Sequence, residues 1–205
     1  MIGIIDYGMG NLRSVYNALT FLGLDSVVVR EPTHLVDCSH VILPGVGSYA
    51  MAMDNLNRRG FSFALKEFAS SKKPLLGICL GMQMLSDNGM EPCACEGLGL
   101  IKGEVLPMDV PESVLLPHVG WNSFHLLQKH PIFKGISRNI DVYFVHSYCF
   151  TPRDKEDKLC ITEYDITFVS GVAHGNIVGL QFHPEKSQKN GLHILSNFCN
   201  WNGLC

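Results

Sequence analysis

Short apolar segments alternate with amphipathic segments along the first half of the chain, and this alternation constrains the fold strongly. Strand-length apolar runs lie at residues 2–5, 26–30, 41–43 and 75–78. Apolar residues at helical spacing follow the first run and recur over about 50–58 and 61–70. Strands that alternate with helices are typical of a mostly parallel sheet with helices on both faces. The first half therefore predicts an α/β fold.

The segment after the first predicted strand carries signals for both ends of a helix. Asn11 is a favourable N-cap residue, and Leu12, Val15 and Leu19 then recur at helical spacing. Gly23 suits the position just after the helix. We expect one β-α unit here.

The second half is rich in predicted strands. They cover residues 100–106, 142–150, 159–164, 168–173 and 177–182, and a hairpin turn at 174–176 joins the last two. A final helix is expected over about 188–200, with Leu192, Leu195, Ser196 and Cys199 on its inner face. Because the sequence contains neither a repeat nor a Pro/Ser-rich linker, residues 1–205 are expected to form a single domain.

Composition restricts the partners and the compartment. The 205 residues are 46% hydrophobic and 17% charged with a net charge of −3, which argues against a basic footprint for nucleic acid or anionic membrane. The sequence has no apolar run near the roughly 18 residues of a membrane span. It begins directly with a strand pattern and not with a basic leader, and its eight cysteines are scattered. We expect a cytoplasmic protein with reduced thiols that binds small molecules or other proteins.

A G-x-C-x-G pattern marks the candidate nucleophile. Gly77, Cys79 and Gly81 stand at the junction of a predicted strand and a predicted helix. Glycines on both sides of a nucleophile permit the sharp turn that presents it above a sheet edge, and a following helix N-terminus would favour a thiolate. A buried, inert cysteine is the competing interpretation.

A thiol nucleophile needs a base, and the base needs an orienting group. His183 and Glu185 follow the last predicted strand. Positions i and i+2 of an extended chain point the same way, so we expect the two side chains to lie together, with Pro184 keeping the chain extended.

Two motifs stand in this order on the predicted fold, Gly77-Ile-Cys79-Leu-Gly-Met-Gln83 and His183-Pro-Glu185. Together they resemble the class I, or triad-type, glutamine amidotransferases, whose fold is flavodoxin-like. Within that family, further segments resemble the glutaminase subunits that serve histidine biosynthesis; these segments are residues 6–11, 44–47, 117–122, 144–148 and 183–187. The resemblance extends from residue 2 to about residue 190.

The resemblance implies a Cys79, His183 and Glu185 triad that hydrolyses glutamine to glutamate and ammonia. The backbone N–H groups of Val46 and Leu80 would form the oxyanion hole. The implied glutamine pocket contains Gly47, Gln83, Glu91, Ser147 and Tyr148. For the contact to the substrate amino group, Glu96 remains an alternative to Glu91.

The resemblance also implies a partner, a (β/α)₈ cyclase that uses the ammonia to form imidazole glycerol phosphate and AICAR ribotide. The residues expected to face it are Asn11, Trp121, Asn122 and Lys186. For Trp121, a half-buried core position is an equal alternative. We expect no cofactor. We also expect no metal, because Cys93 and Cys95 lack a second pair at zinc-ligand spacing.

Two other functions remain open. The chain could be a class I glutaminase that serves pyridoxal phosphate or anthranilate synthesis. It could instead be a catalytically silent scaffold that regulates a cyclase, although all three triad positions hold competent residues.

Overall fold

The structure, a computed structural model, describes residues 1–137 and 140–204. The strands within these residues, in chain order, are β1 (Ile2–Ile5), β2 (Ser26–Val29), β3 (His40–Gly45), β4 (Leu75–Cys79), β5 (Asn88–Gly89), β6 (Cys95–Glu96), β7 (Gly103–Pro107), β8 (His118–Ser123), β9 (His125–Leu126), β10 (Asp141–His146), β11 (Tyr148–Pro152), β12 (Lys158–Tyr164), β13 (Ile166–His174) and β14 (Ile177–Leu180). The α-helices are α1 (Leu12–Phe21), α2 (Tyr49–Arg58), α3 (Phe61–Ser70), α4 (Leu80–Gln83) and α5 (Gln188–Asn200).

A large mixed sheet organises the molecule. Its strands lie in the order β2-β1-β3-β4-β14-β13-β12-β9. The strands from β2 to β14 in this order are parallel, and β13, β12 and β9 continue the sheet antiparallel. Two smaller sheets pair β10 with β8 and order β11-β7-β5-β6. This confirms the predicted α/β class and the β-rich second half.

Helices cover both faces of the large sheet because successive strand residues point to opposite sides. In β3, Leu43 packs with α2 and α3, whereas Ile42 packs with α1 and α5. The four helices contribute buried apolar side chains to the two clusters, such as Leu56 from α2 and Phe198 from α5. The predicted boundaries of α1 are also confirmed, since Asn11 Oδ1 accepts a hydrogen bond from Ser14 N at 3.3 Å.

Three predictions about the second half need correction. The expected strand over 142–150 is two strands, β10 and β11, which separate at Ser147 because they pair in different sheets. The expected strand over 100–106 begins at Gly103, and that over 177–182 ends at Leu180.

The inner face of α5 also differs in part from the prediction. Leu195 is buried as expected, but the other fully buried apolar side chains are Ile194 and Phe198, and Leu192 and Cys199 pack at the edge of the cluster. The helix is rotated so that the largest apolar side chains face the sheet.

Among the described residues, no helix has both the length and the hydropathy that crossing a membrane requires. The seven cysteines in those residues are all free thiols, and Cys205 lies outside them.

Candidate active site

Cys79 ends β4 in a backbone conformation that L-residues seldom adopt. Its φ of 55° and ψ of −112° produce the sharp turn from the strand directly into α4. A non-glycine residue held in such a region costs free energy and is found most often at functional sites. The predicted elbow is present, and it places Cys79 at the carboxyl edge of the parallel strands, where ligands bind in open α/β sheets.

The two flanking glycines are required by close packing and not only by the turn. A Cβ atom at Gly77 would lie 2.5 Å from the Gly81 carbonyl oxygen, and one at Gly81 would overlap the Leu43 carbonyl oxygen. The absence of both side chains lets α4 sit directly on the ends of β3 and β4. The helix is a single turn, so its dipole is weak, and it contributes chiefly the unpaired N–H groups of its first turn, including that of Leu80.

His183 and Glu185 form a buried hydrogen-bonded pair. Nδ1 of His183 lies 2.8 Å from Oε1 of Glu185, and the side chains are 2% and 1% exposed. The expected extended connection is wrong: residues 184–186 form a 3-10 turn, in which Lys186 N donates to His183 O. The turn, and not a strand, brings the carboxylate beneath the imidazole.

Hydrogen bonds also fix the main chain of His183. His183 N donates to Tyr143 O at 2.9 Å, and Ser187 Oγ donates to His183 O at 2.6 Å. With Nδ1 committed to Glu185, Nε2 has no hydrogen-bond partner among the described residues. This nitrogen is therefore available for proton transfer in the adjoining cavity.

The charges around His183 favour its protonated form. Burial lowers the pKa of the His183 imidazole, but the neighbouring Cys79 sulfur and Glu185 carboxylate outweigh this effect and raise the pKa to about 10. A protonated imidazole in this position can act as a general acid.

A cavity of about 180 Å³ connects these groups. Cys79 and His183 both line it, and Glu185 lies behind His183. All the other residues predicted for the oxyanion hole and the glutamine pocket line the same cavity, namely Val46, Gly47, Leu80, Gln83, Glu91, Ser147 and Tyr148. The structure thus brings together residues from Val46 to His183, which are far apart in the sequence.

The position of Glu91 separates it from the alternative, Glu96. Glu91 Oε2 accepts a hydrogen bond from Tyr49 N at the start of α2, and its carbonyl oxygen accepts one from Ala50 N. Burial raises the pKa of the Glu91 carboxyl, and the Tyr49 N–H opposes this shift. Glu96 is exposed and does not line the cavity.

Several contacts around the thiol were not predicted from the sequence. Gln181 Nε2 donates to Cys79 Sγ at 3.8 Å, and Cys79 Sγ donates to Val145 O at 3.7 Å. Gln181 precedes His183 by two positions, so the period of an extended chain could have identified it. His146 also lines the cavity and was not singled out.

The residues predicted to face a partner divide into two groups. Trp121 is 48% exposed, and its ring lies 6.1 Å from that of Tyr143, over which Lys186 Nζ sits at 5.6 Å. Asn11 and Asn122 have local structural roles. Asn11 caps α1, and Asn122 donates to the Glu163 carbonyl oxygen at 2.8 Å.

Within residues 1–137 and 140–204, no group of three or more His, Cys, Asp or Glu side chains is arranged to hold a metal ion. Cys93 is exposed, and Cys95 is partly buried in β6.

Comparison with known proteins agrees with this geometry. The family model described as "Glutamine amidotransferase class-I" matches residues 3–201. The chain is 47% identical over 207 residues to "Imidazole glycerol phosphate synthase subunit HisH" of Sulfurimonas denitrificans, with 100% of both chains covered. It is 44% identical over 202 residues to the HisH subunit of Wolinella succinogenes, with 97% of this chain and 98% of that one covered.

Solved structures share the fold at lower identity. "Structure of PurLQS from Thermotoga maritima" superposes with a TM-score of 0.76 at 22% identity and covers 97% of both chains. A putative GMP synthase protein from Thermoplasma acidophilum gives a TM-score of 0.73 at 22% identity, with 97% of this chain and 92% of that one covered. The family match over nearly the whole chain and the full-length relatives lead to one assignment. The chain belongs to the class-I glutamine amidotransferases.

Proposed function

We propose that this chain is the glutaminase subunit of an imidazole glycerol phosphate synthase. The observation that carries the proposal is the buried His183–Glu185 pair, which faces Cys79 across a cavity at a strained strand-helix turn. The full-length relatives named as HisH subunits support the choice of synthase. The match over residues 3–201 supports the proposal that the chain is one glutamine amidotransferase domain.

The proposed first half-reaction uses all three side chains. The Cys79 thiolate attacks the carboxamide carbon of glutamine, and the backbone N–H groups of Val46 and Leu80 bind the oxyanion that forms. The C–N bond then breaks, and the His183 imidazolium gives its Nε2 proton to the leaving nitrogen. Ammonia and a glutamyl thioester on Cys79 result. Glu185 holds the imidazole in place and stabilises its positive charge.

The second half-reaction restores the enzyme. His183, now neutral, takes a proton from a water molecule, whose oxygen attacks the thioester carbonyl. The C–S bond breaks, glutamate leaves, and the proton on His183 re-forms the imidazolium beside the thiolate. The sum is one glutamine and one water converted to one glutamate, one ammonia and one proton, which the new carboxyl group releases to solvent.

The remaining residues of the cavity would bind the amino-acid end of glutamine. A carboxylate is suited to the substrate ammonium group, and Glu91 is the acidic side chain that lines the cavity among the described residues. Ser147 and Tyr148 lie on the opposite segment and offer polar groups to the substrate carboxylate. Gln83 is tied to Tyr148 O and Gln181 Oε1, so it shapes the cavity wall.

Ammonia that escaped into water would become protonated at neutral pH and lose its nucleophilicity. We therefore place a cyclase partner with a (β/α)₈ barrel against the surface that contains Trp121 and Lys186, where it would receive ammonia and form imidazole glycerol phosphate and AICAR ribotide. The exposed Trp121 ring supports this position, because exposed aromatic side chains are common anchors of protein interfaces.

The test is glutamate production from glutamine by the purified chain, alone and with the cyclase partner and its nucleotide ligand. We expect turnover in the liganded complex that disappears in Cys79→Ala and persists in Cys93→Ala, which removes an exposed cysteine outside the cavity. Turnover that the cyclase does not affect would point to another synthase. Turnover in neither state would favour the scaffold function.

A further inference from the structure

Two buried histidines outside the triad, His118 and His146, stand directly opposite each other on neighbouring strands. His118 begins β8 and His146 ends β10, and the two are paired in the antiparallel ladder. Their side chains are buried, and Nδ1 of His118 lies 3.1 Å from Nε2 of His146. His146 lines the cavity, whereas His118 does not line it and lies behind His146.

The donor and the acceptor of each hydrogen bond in this group can be assigned from the groups at the two ends of the chain of bonds. Nδ1 of His146 lies 2.8 Å from the Tyr148 carbonyl oxygen, which can only accept, so this nitrogen carries the proton. In a neutral ring, Nε2 of His146 then accepts, and His118 must donate from Nδ1. Nε2 of His118 is therefore an acceptor, and the Asn122 amide nitrogen lies 3.4 Å from it.

The orientation of the Asn122 amide agrees with this direction. Its Oδ1 accepts from Ser123 N at 2.8 Å, which identifies the other atom as the NH₂ group. One amide proton goes to the Glu163 carbonyl oxygen, and the other remains for His118. The chain of donors thus runs from Asn122 through both histidines to Tyr148.

Both imidazoles are held in the neutral form that this order needs. Burial lowers the pKa of His118 to about 4. Burial is the main reason that the pKa of His146 is lowered to about 3; the Tyr148 carbonyl opposes this shift, and the charges of His118 and His183 add to it. Among the described residues, no acidic side chain bonds to either ring.

The Tyr148 carbonyl is the point at which this chain of bonds meets the glutamine pocket. The same oxygen accepts a hydrogen bond from Gln83 Nε2 at 3.0 Å, and Gln83 is tied through Gln181 to the Cys79 sulfur. Ser147 lies between two strands that belong to different sheets, so one continuous ladder does not fix this segment. Met108 N holds the Ser147 carbonyl oxygen from the backbone. The side chains of His146 and Gln83 hold the neighbouring Tyr148 carbonyl oxygen.

We propose that His118 and His146 are a positioning pair that holds residues 147–148 in the shape that binds glutamine, with His118 acting through His146. The inference rests on the proposed glutaminase function, because it assigns residues 147–148 to the substrate. Neither histidine of the pair takes part in the bond-making steps.

Two substitutions of His118 separate the hydrogen bond from the packing. The His118 ring stacks between those of Phe144 and Tyr164, at centroid distances of 4.8 and 4.0 Å. His118→Phe keeps a ring in this stack but removes the donor to His146. His118→Asn loses the stack but can place an amide N–H near the position of Nδ1.

The experiment measures glutamine hydrolysis by the complex with the cyclase partner, together with the melting temperature of each variant. We expect His118→Phe to raise KM for glutamine about tenfold, the equivalent of one hydrogen bond, and to leave kcat within about threefold. His118→Asn should have a KM close to that of the unmodified chain despite a lower melting temperature than His118→Phe. His125→Phe, at an exposed histidine in β9, should change neither constant.

A purely structural role predicts the opposite order, in which KM follows the loss of stability. A KM for His118→Phe within twofold of the unmodified value, or a larger KM for the less stable His118→Asn, would overturn the inference. The dissociation constant for glutamine, measured in the Cys79→Ala background with and without His118→Phe, tests the same loss of glutamine affinity without turnover. Failure of the proposed function has a different signature: the unmodified complex would not hydrolyse glutamine at all.

Discussion

Replacing Glu185 with glutamine removes a charge from the active site while keeping its shape. The carboxylate and the His183 ring are 2.8 Å apart and almost fully buried. The amide oxygen of glutamine can still accept the Nδ1 proton, so the hydrogen bond and the position of the ring are retained. The negative charge that favours the imidazolium is lost.

The size of the change follows from the geometry. Two unit charges about 4 Å apart, at an effective dielectric constant near 20, interact by roughly 4 kcal/mol. One pKa unit corresponds to about 1.4 kcal/mol, so loss of the carboxylate should lower the pKa of His183 by about three units. The pKa, now raised to about 10, would fall to a value close to neutrality.

The assay is the rate of glutamate production at saturating glutamine, from mildly acidic to strongly alkaline pH. His183 must be protonated to release ammonia, so activity is lost as the pH rises through its pKa. We expect this alkaline limb to move down by about three pH units in Glu185→Gln. The rate at neutral pH should fall by about 10²- to 10⁴-fold, as when the acid of a comparable triad becomes an amide.

Glu185→Asp is the matched control, because it keeps the charge but shortens the side chain. Its alkaline limb should stay well above that of Glu185→Gln even if its rate is low. An alkaline limb in Glu185→Gln that coincides with that of the unmodified chain would refute the assigned role of Glu185, provided that the melting temperature shows a folded protein.

Three further predictions concern the elbow, the partner surface and the buried histidines. Gly81→Ala should destabilise the fold by about 1–3 kcal/mol or more in thermal unfolding, because its methyl group meets backbone atoms. Gly175→Ala, which points into open space, should cost only about 1 kcal/mol for its positive φ, and equal losses at the two sites would contradict the packing argument. Trp121→Ala should weaken binding of the cyclase partner, measured by calorimetry, by about 2 kcal/mol, or roughly 30-fold. Phe63→Ala, at an exposed ring on the opposite face of the sheet, should leave the affinity unchanged. Equal affinities of the two variants would show that Trp121 is not in the interface. The pKa of His118 is about 4 in the folded chain and 6.5 in the unfolded chain, so the unfolded chain binds more protons between pH 4 and pH 6.5. The free energy of unfolding should therefore fall as the pH drops from about 6.5 towards 4, by about 2–3 kcal/mol for this group. Urea unfolding of His118→Phe should show a shallower acid decline, and an unchanged slope would contradict the buried neutral state.

The alternation of strands and helices in the first half was sufficient to predict that β1 to β4 lie in a parallel sheet. Each apolar run there is bounded by turn or capping residues, so its ends are local features of the sequence, as at Asn11 and Gly23. The segment 142–150 has no such local break. Its division at Ser147 depends on β8 and β7, which pair with β10 and β11 from distant parts of the chain.

In the candidate site, too, local features were predictable and features that depend on distant residues were not. The Cys79 elbow and the His183–Glu185 pair were predictable because the flanking glycines and the i, i+2 spacing are local features. The 3-10 turn that joins the pair was not, since an extended chain and a tight turn can both bring positions i and i+2 together. His118 gave no local signal at all, because its partner is 28 positions away.

Mapping the cysteine that reacts with a glutamine analogue tests the central claim most directly. The complex would be incubated with a diazoketone analogue of glutamine, digested and analysed by peptide mass spectrometry, with excess glutamine as a competitor. We expect the label on Cys79, with protection by glutamine and no labelling of the exposed Cys93. Labelling at another cysteine, or an unlabelled Cys79 in a preparation that hydrolyses glutamine, would contradict the assignment of Cys79 as the nucleophile.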